Sequence, residues 1–171
     1  MLKLAYSHRE SLNKQFEKMA FNEKYKFFSL CWWNYAVEIS DNSWNSIQMV
    51  SVDSDNNIIG YFSADIIRHS NKACGIQVIN FGEDANIIFS KDMYQFLDEL
   101  MTKHNLRKVE WTVVIGNPAE KIYDKIVKKY NGRIVGTRKE SVTTPEGTLR
   151  DEKEYEIFRD DYIKAKNKKA K

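Results

Sequence analysis

The side chains that could do chemistry are sparse here, and their placement excludes more than it offers. Three histidines, His8, His69 and His104, are scattered along 171 residues, which argues against a multi-histidine metal site. Two cysteines, Cys31 and Cys74, are too few for a thiolate cluster or a disulfide framework. A general base would need a carboxylate such as Glu110 in "RKVEWTVVI", opposite the Val109 side of a strand; strand carboxylates more often face solvent or pair with lysine. Glu38, Asp65 and His69 stand out no more, and a chain of waters would serve equally, so no base is assigned. The aromatics Trp32, Trp33, Tyr35 and Trp44 could flank an amine through cation–π contacts, or could simply fill core.

The most structured signal is "VIGNPAEKIYDKIVKKYNGRIVG", residues 114–136. Asn117 suits a helix cap, Pro118 the first helical position and Glu120 the acid of a capping box. Ala119, Ile122, Tyr123, Ile126, Val127 and Tyr130 then share an apolar face, with Lys121, Asp124, Lys125, Lys128 and Lys129 on the other. Asn131-Gly132 tolerates positive φ and ends the helix. Tyr123 therefore reads first as a core residue, and Asn117 as a cap.

Around that junction the remaining elements fall into order. "MLKLAYSHRE" gives a short strand and a Ser7–Glu10 capping-box spacing, followed by a helix through Leu12, Phe16 and Met19. A second helical stretch runs from about Glu23 to Trp33, and "SDNSWNS" (40–46) reads as a loop. "DSDNN" (53–57) separates two strand-like runs of a hairpin. "KACGIQVINF" is a third strand, and Ser90 caps a helix over 91–104 whose apolar face includes Phe96, Leu97 and Leu100. Strands 74–81 and 108–115, joined by that helix, are expected to run parallel and right-handed. Pro145 and Gly147 fit a type I turn in a closing hairpin.

The whole is one α+β domain by length and pattern. Net charge is +3, but "IKAKNKKAK" at residues 163–171 holds five lysines, so the body is slightly acidic and shows no basic face calling for nucleic acid. The sequence has no apolar run near the roughly 20 residues of a membrane span and no long apolar signal region. A reduced, cytoplasmic setting is expected, with neither nucleic acid nor membrane as partner.

Three stretches in this order resemble the GNAT superfamily of acyl-CoA-dependent N-acetyltransferases, over residues 2 to about 162. "DNNIIGYFSADI" resembles its second hairpin strand, and "NPAEKIYDKIVKKYNGRIVG" its asparagine–helix–tyrosine segment. "GTRKESVTTPEGTLRDEKEYEIFRDDY" resembles the terminal hairpin of the ribosomal-protein-type enzymes. The resemblance implies a domain over 1–162 with a mixed, mostly antiparallel sheet and a central parallel pair, then a basic, disordered tail over 163–171. It implies acetyl-CoA as co-substrate, and acetyl transfer to a primary amine of a protein or small molecule by direct attack on the thioester, in a monomer or homodimer.

By the same resemblance the cofactor arm lies in a gap between residues 78–82 and 113–117. Tyr123 would protonate the departing thiolate, although it follows Asn117 one residue sooner than is usual in the family. Asn117 would bond the cofactor amide, a backbone N–H among Ile79, Asn80 and Phe81 would face the oxyanion, and Ser90 and Lys91 would approach the phosphates. The pyrophosphate signature Gln/Arg-x-x-Gly-x-Gly/Ala is absent: its positions fall on Ile88, Lys91 and Met93, with Glu83, Asp84 and Asp92 nearby. Carboxylates at a helix N-terminus repel phosphate, and the alternative is a GNAT-like binding or scaffold domain without CoA turnover.

Overall fold

The computed structural model describes residues 1–28, 37–41, 44–82 and 86–168. The strands are β1 (Leu2–Leu4), β2 (Ser46–Val52), β3 (Ile58–Ile67), β4 (Lys72–Asn80), β5 (Lys108–Val114), β6 (Arg133–Thr143) and β7 (Leu149–Phe158). The helices are α1 (Arg9–Met19), α2 (Ile87–Thr102), α3 (Glu120–Lys129) and α4 (Arg159–Lys168). One seven-stranded sheet has the order β1-β2-β3-β4-β5-β7-β6. Every neighbouring pair is antiparallel except β4–β5. The mixed sheet and its central parallel pair are as expected. No described helix is long and apolar enough to cross a membrane.

Alternation along the strands divides the apolar side chains between two cores. On one face Phe62, Ala64, Val109, Trp111, Val113, Tyr155 and Ile157 meet Phe96 and Leu100 of α2 and Ile126 and Val127 of α3. On the other, Val50, Val52, Tyr61 and Ile79 meet Leu12, Phe16 and Met19 of α1. The "DSDNN" turn forms because Asp53 Oδ1 accepts from the N–H groups of Asp55 (2.9 Å) and Asn57 (2.8 Å). Thr144–Gly147 closes the last hairpin, with Gly147 N–H donating to Thr144 O at 2.8 Å.

Several boundaries differ from the sequence expectation. Helix α1 starts at Arg9, preceded by a 3₁₀ turn, and its cap residue His8 makes no side-chain cap bond, so the Ser7–Glu10 box does not form. The stretch from Glu23 is a 3₁₀ turn over Glu23–Tyr25; residues 29–36, including Cys31, Trp32, Trp33 and Tyr35, lie outside the described residues. Helix α2 begins four residues before Lys91, capped by Asn86, whose Oδ1 accepts from Ile88 N–H (2.8 Å) and Phe89 N–H (3.2 Å). The extra turn is held by tertiary packing: Phe89 stacks on Phe62 at 5.1 Å, and Gly60 leaves room for that ring, which a Cβ there would meet at 2.3 Å. The expected disordered tail is helical as far as Lys168. Tyr162 is buried against Tyr130 (4.5 Å), and its hydroxyl and Lys166 both bond Asp98 Oδ1 of α2. Residues 169–171 lie outside the described residues.

What positions a cleft is the failure of β4 and β5 to stay together. They pair only at Lys72↔Lys108 and Ala73↔Val109. Gly75 follows at φ +58°, in the left-handed region that favours glycine. The β3–β4 register shifts at the same level, between Ser63 and Asp65. The bulge turns β4 aside, and the carboxyl ends of the two parallel strands diverge.

Candidate active site

Tyr123 stands in the divergence. It lines two contiguous parts of a cleft, about 360 Å³ toward Gln77, Thr112 and Glu152, and about 480 Å³ toward Asn86, Ser90 and Lys125. Its ring packs edge-on to Trp111 (5.9 Å) and Tyr155 (6.1 Å). Burial pushes the phenol above its ordinary range, which keeps it protonated, the state a proton donor needs. Among the described residues its hydroxyl makes no hydrogen bond, whereas Tyr155 donates to Asp124 (2.8 Å) and Tyr162 to Asp98 (2.8 Å). The core role and the cleft position therefore coexist: the ring packs and the oxygen stays uncommitted.

Helix α3 is held to β7 on its polar side. Lys153 bonds Glu120 and reaches Asp124 at 3.3 Å, and Tyr155 bonds the same aspartate. At the entrance to α3, Glu120 accepts from Gly116 N–H (3.2 Å) and Asn117 Oδ1 accepts from Ala119 N–H (2.9 Å). Asn117 is thus a turn cap, with its Oδ1 committed. Its side-chain NH₂ makes no bond among the described residues while the residue lines both parts of the cleft, so cap and ligand roles are compatible. At the far end, Asn131 at φ +54° and a Gly132 N–H bond to Val127 O (2.8 Å) stop the helix.

The register narrows the oxyanion assignment among Ile79, Asn80 and Phe81. Phe81 N–H donates to Ile59 O at 3.0 Å, and Tyr61 pairs with Ile79. In an antiparallel ladder the N–H groups alternate in direction. Those of Ile79 and Phe81 therefore point to β3, and those of Val78 and Asn80 point toward β5. Ile79's side chain is fully buried in the second core and Phe81 packs on Phe16 (6.1 Å). Asn80 Oδ1 accepts from Gly82 N–H (2.9 Å). Val78 and Asn80 both lie beyond the last β4–β5 pair, so both N–H groups face the gap, and the Val78 side chain lines the cleft on either side of Tyr123.

The phosphate end is also rearranged. Ser90 lines the cleft, but as a residue inside α2 rather than its cap, because its N–H bonds Asn86 O at 2.9 Å. Lys91 is exposed and is not among the cleft-lining residues. Lys125 of α3 lines this end. Asp92 turns away into the sheet, accepting from Ser51 Oγ (2.6 Å) and pairing with the Met1 ammonium (3.1 Å), so it does not repel an anion in the cleft. Glu83 and Asp84 lie outside the described residues.

Sequence reasoning missed Glu152. Its carboxylate is fixed by two neutral donors, Thr112 Oγ1 (3.1 Å) and Ser141 Oγ (2.8 Å). It has no ion pair among the described residues, and it lines the same part of the cleft as Phe27, Phe28 and Tyr123. The carboxylates beside it are neutralised. Glu154 pairs with Arg138 (3.2 Å), Glu156 with Lys108 (2.8 Å) and Arg133 (2.6 Å), and Glu110 with Lys72 (2.6 Å) and Lys108. Glu110 is therefore a structural ion-pair partner. Trp44 lies outside the cleft, stacked under Arg68 at 4.5 Å. Burial pushes the Cys74 thiol up, against Lys72, so it is a poor nucleophile.

No protein-family model matches the chain, and no curated protein matches it in sequence. Solved structures do match. A mutant of the spermidine N-acetyltransferase SpeG from Vibrio cholerae aligns with TM-score 0.70 and 21% identity, over 95% of this chain and 97% of that one. This is the GNAT fold. The same enzyme in complex with manganese ions gives TM-score 0.70 at 20% identity, over 96% and 95% of the two chains. A chimera of Vibrio cholerae SpeG and hSSAT gives 0.60 at 23%, over 71% and 73%. The GNAT fold accounts for the central parallel pair, the bulge and the cleft between diverging ends, where ligands of parallel sheets are generally received.

Proposed function

We propose that this chain is an acetyl-CoA-dependent N-acetyltransferase acting on a primary amine. The observation that carries the proposal is the uncommitted, protonated Tyr123 hydroxyl in the gap where β4–β5 pairing has ended. The gap fits the co-substrate: an arm with amide groups can bond the β5-facing edge of β4 as a strand would, and Asn117 offers its NH₂. Lys125 and Ser90 stand at the end suited to phosphate. When bound, acetyl-CoA supplies an acyl group activated as a thioester. Val78 N–H donates to a carbonyl oxygen in the gap. Glu152 attracts an ammonium; after that nitrogen has released one proton to solvent, Glu152 accepts the second as the C–N bond forms. Tyr123 delivers a proton to the sulfur as the C–S bond breaks, to be reprotonated from solvent.

Spermidine, named for the structural neighbours, is one acceptor that a cation-free carboxylate would suit. Protein amino termini remain candidates through the ribosomal-protein-type resemblance of the last hairpin. We assign a cytoplasmic setting and a monomer or homodimer, as expected from the sequence. One observation favours the second reading, a GNAT-fold binding domain without turnover: the Asn86 side chain already occupies the first-turn N–H groups of Ile88 and Phe89 that a phosphate would seek. Thiol release from acetyl-CoA, measured with spermidine, a lysine peptide and a peptide with a free amino terminus, separates the two. Release with at least one amine, with a KM for that amine raised about tenfold or more by Glu152→Gln, is the expected result. Tight acetyl-CoA binding with no release for any amine would leave the binding domain.

A further inference from the structure

Behind Tyr123 the cleft continues into a pocket that acetyl transfer does not need. It lies between α2 and α3 under the diverging strands and is walled by Ile76, Val78, Leu97, Trp111, Tyr123 and Ile126, among other apolar side chains. No polar atom reaches its surface. Val78 and Tyr123, the two residues assigned to the thioester, line both this pocket and the cleft. Trp111 is stacked on Tyr155 at 5.3 Å with 15° between the planes, and meets Tyr123 edge-on, so the wall on that side is braced against collapse.

We infer that this pocket receives the chain of an acyl group longer than acetyl, so that the donor class is short-chain acyl-CoA with an optimum near four carbons. The inference rests on the acyl-CoA reading of the cleft. The pocket has a volume of about 40 Å³, against roughly 10–15 Å³ for one water-sized group, so the space holds about three. Water gains no hydrogen bond from such a wall, so an apolar guest is favoured there, while an unfilled hole forfeits packing contacts. An acyl carbon placed beside Val78 and Tyr123 has its chain directed either back to the open cleft, whose lining mixes polar and apolar groups, or into this pocket, which presents no polar surface.

The test is calorimetric titration with acetyl-, propionyl-, butyryl- and octanoyl-CoA. Each methylene buried in the pocket is expected to tighten binding about fourfold. Butyryl-CoA should then bind roughly tenfold or more tightly than acetyl-CoA, with no further gain at octanoyl. Leu97→Phe, which fills the pocket, should bring the butyryl-to-acetyl ratio to about one. Leu97→Ala, which enlarges it, should move the optimum to longer chains, and either variant suffices if the other does not fold. Butyryl-CoA binding no better than acetyl-CoA would overturn the inference and leave the acetyltransferase reading intact, as would a ratio unchanged by both variants. No binding of any acyl-CoA would overturn that reading and the inference together.

Discussion

Removing one oxygen separates the two things Tyr123 does. Its ring is part of the core between Trp111 and Tyr155, and Phe keeps that ring. Its hydroxyl makes no hydrogen bond among the described residues, so Tyr123→Phe breaks no internal bond, and stability should stay within about 0.5 kcal/mol of wild type. A half-buried, unbonded hydroxyl is a net desolvation cost, so a small gain is the more natural sign. Tyr155→Phe is the control: it loses a 2.8 Å bond to Asp124 and should lose about 1.5–3 kcal/mol, the scale of a bond to a charged group. In thiol-release kinetics, loss of a positioned acid lowers kcat by about 10²–10⁴, equivalent to about 3–5 kcal/mol of barrier. Melting and turnover measured on the same preparations should therefore move in opposite senses for the two variants, with Tyr123→Phe stable and slow. Turnover of Tyr123→Phe within a few-fold of wild type would refute the proton-donor assignment, whatever its stability.

Ile126 is almost fully buried on the sheet side of α3, so Ile126→Ala should lose about 2–5 kcal/mol in denaturant unfolding; a loss below 1 kcal/mol would mean that the face is misassigned. Lys125→Glu should weaken acetyl-CoA by about 1–3 kcal/mol in calorimetry, whereas Lys91→Glu, outside the cleft, should leave it nearly unchanged; the reverse ranking would return the phosphates to Lys91. Burial works against the Glu156 charge, but bonds from Lys108 and Arg133 outweigh it and hold the carboxyl below its ordinary range. A depressed acid stabilises the fold above its unfolded pKa of about 4.3 and loses that contribution as pH falls through the lower folded value. Glu156→Gln should therefore melt lower near neutral pH and show a shallower acid decline below about pH 4.3; parallel melting curves would contradict the role given to this ion-pair network.

The junction around α3 was legible because its signals are local and agree: Asn117, Pro118 and Glu120 at one end, Asn131-Gly132 at the other, and a clean apolar face between. The start of α2 was not, because Asn86 and Ser90 are both plausible caps and Ile87-Ile88-Phe89 suits a strand equally well. What decides is Phe89 on Phe62 across the notch at Gly60, a contact between residues far apart in sequence. The helix α4 was hidden for the same reason, since its support is Tyr162 and Lys166 on Asp98. Within the site, Tyr123 and Asn117 could be named from spacing and resemblance. The donor proposed at Val78 could not, because backbone direction depends on register with β3. Glu152 was masked by composition. In "DEKEYE" all three glutamates look alike, and only the pairing of Glu154 and Glu156 with cations leaves Glu152 distinct.

The most direct test of the gap between β4 and β5 as an acetyl-CoA site is amide NMR of ¹⁵N-labelled protein during an acetyl-CoA titration. Saturable shifts are expected at the Val78 backbone amide and the Asn117 side-chain NH₂, with Ile79 and Phe81, whose N–H groups face β3, moving less. Unmoved Val78 and Asn117 signals at millimolar acetyl-CoA, or shifts confined to residues away from Tyr123, would contradict it.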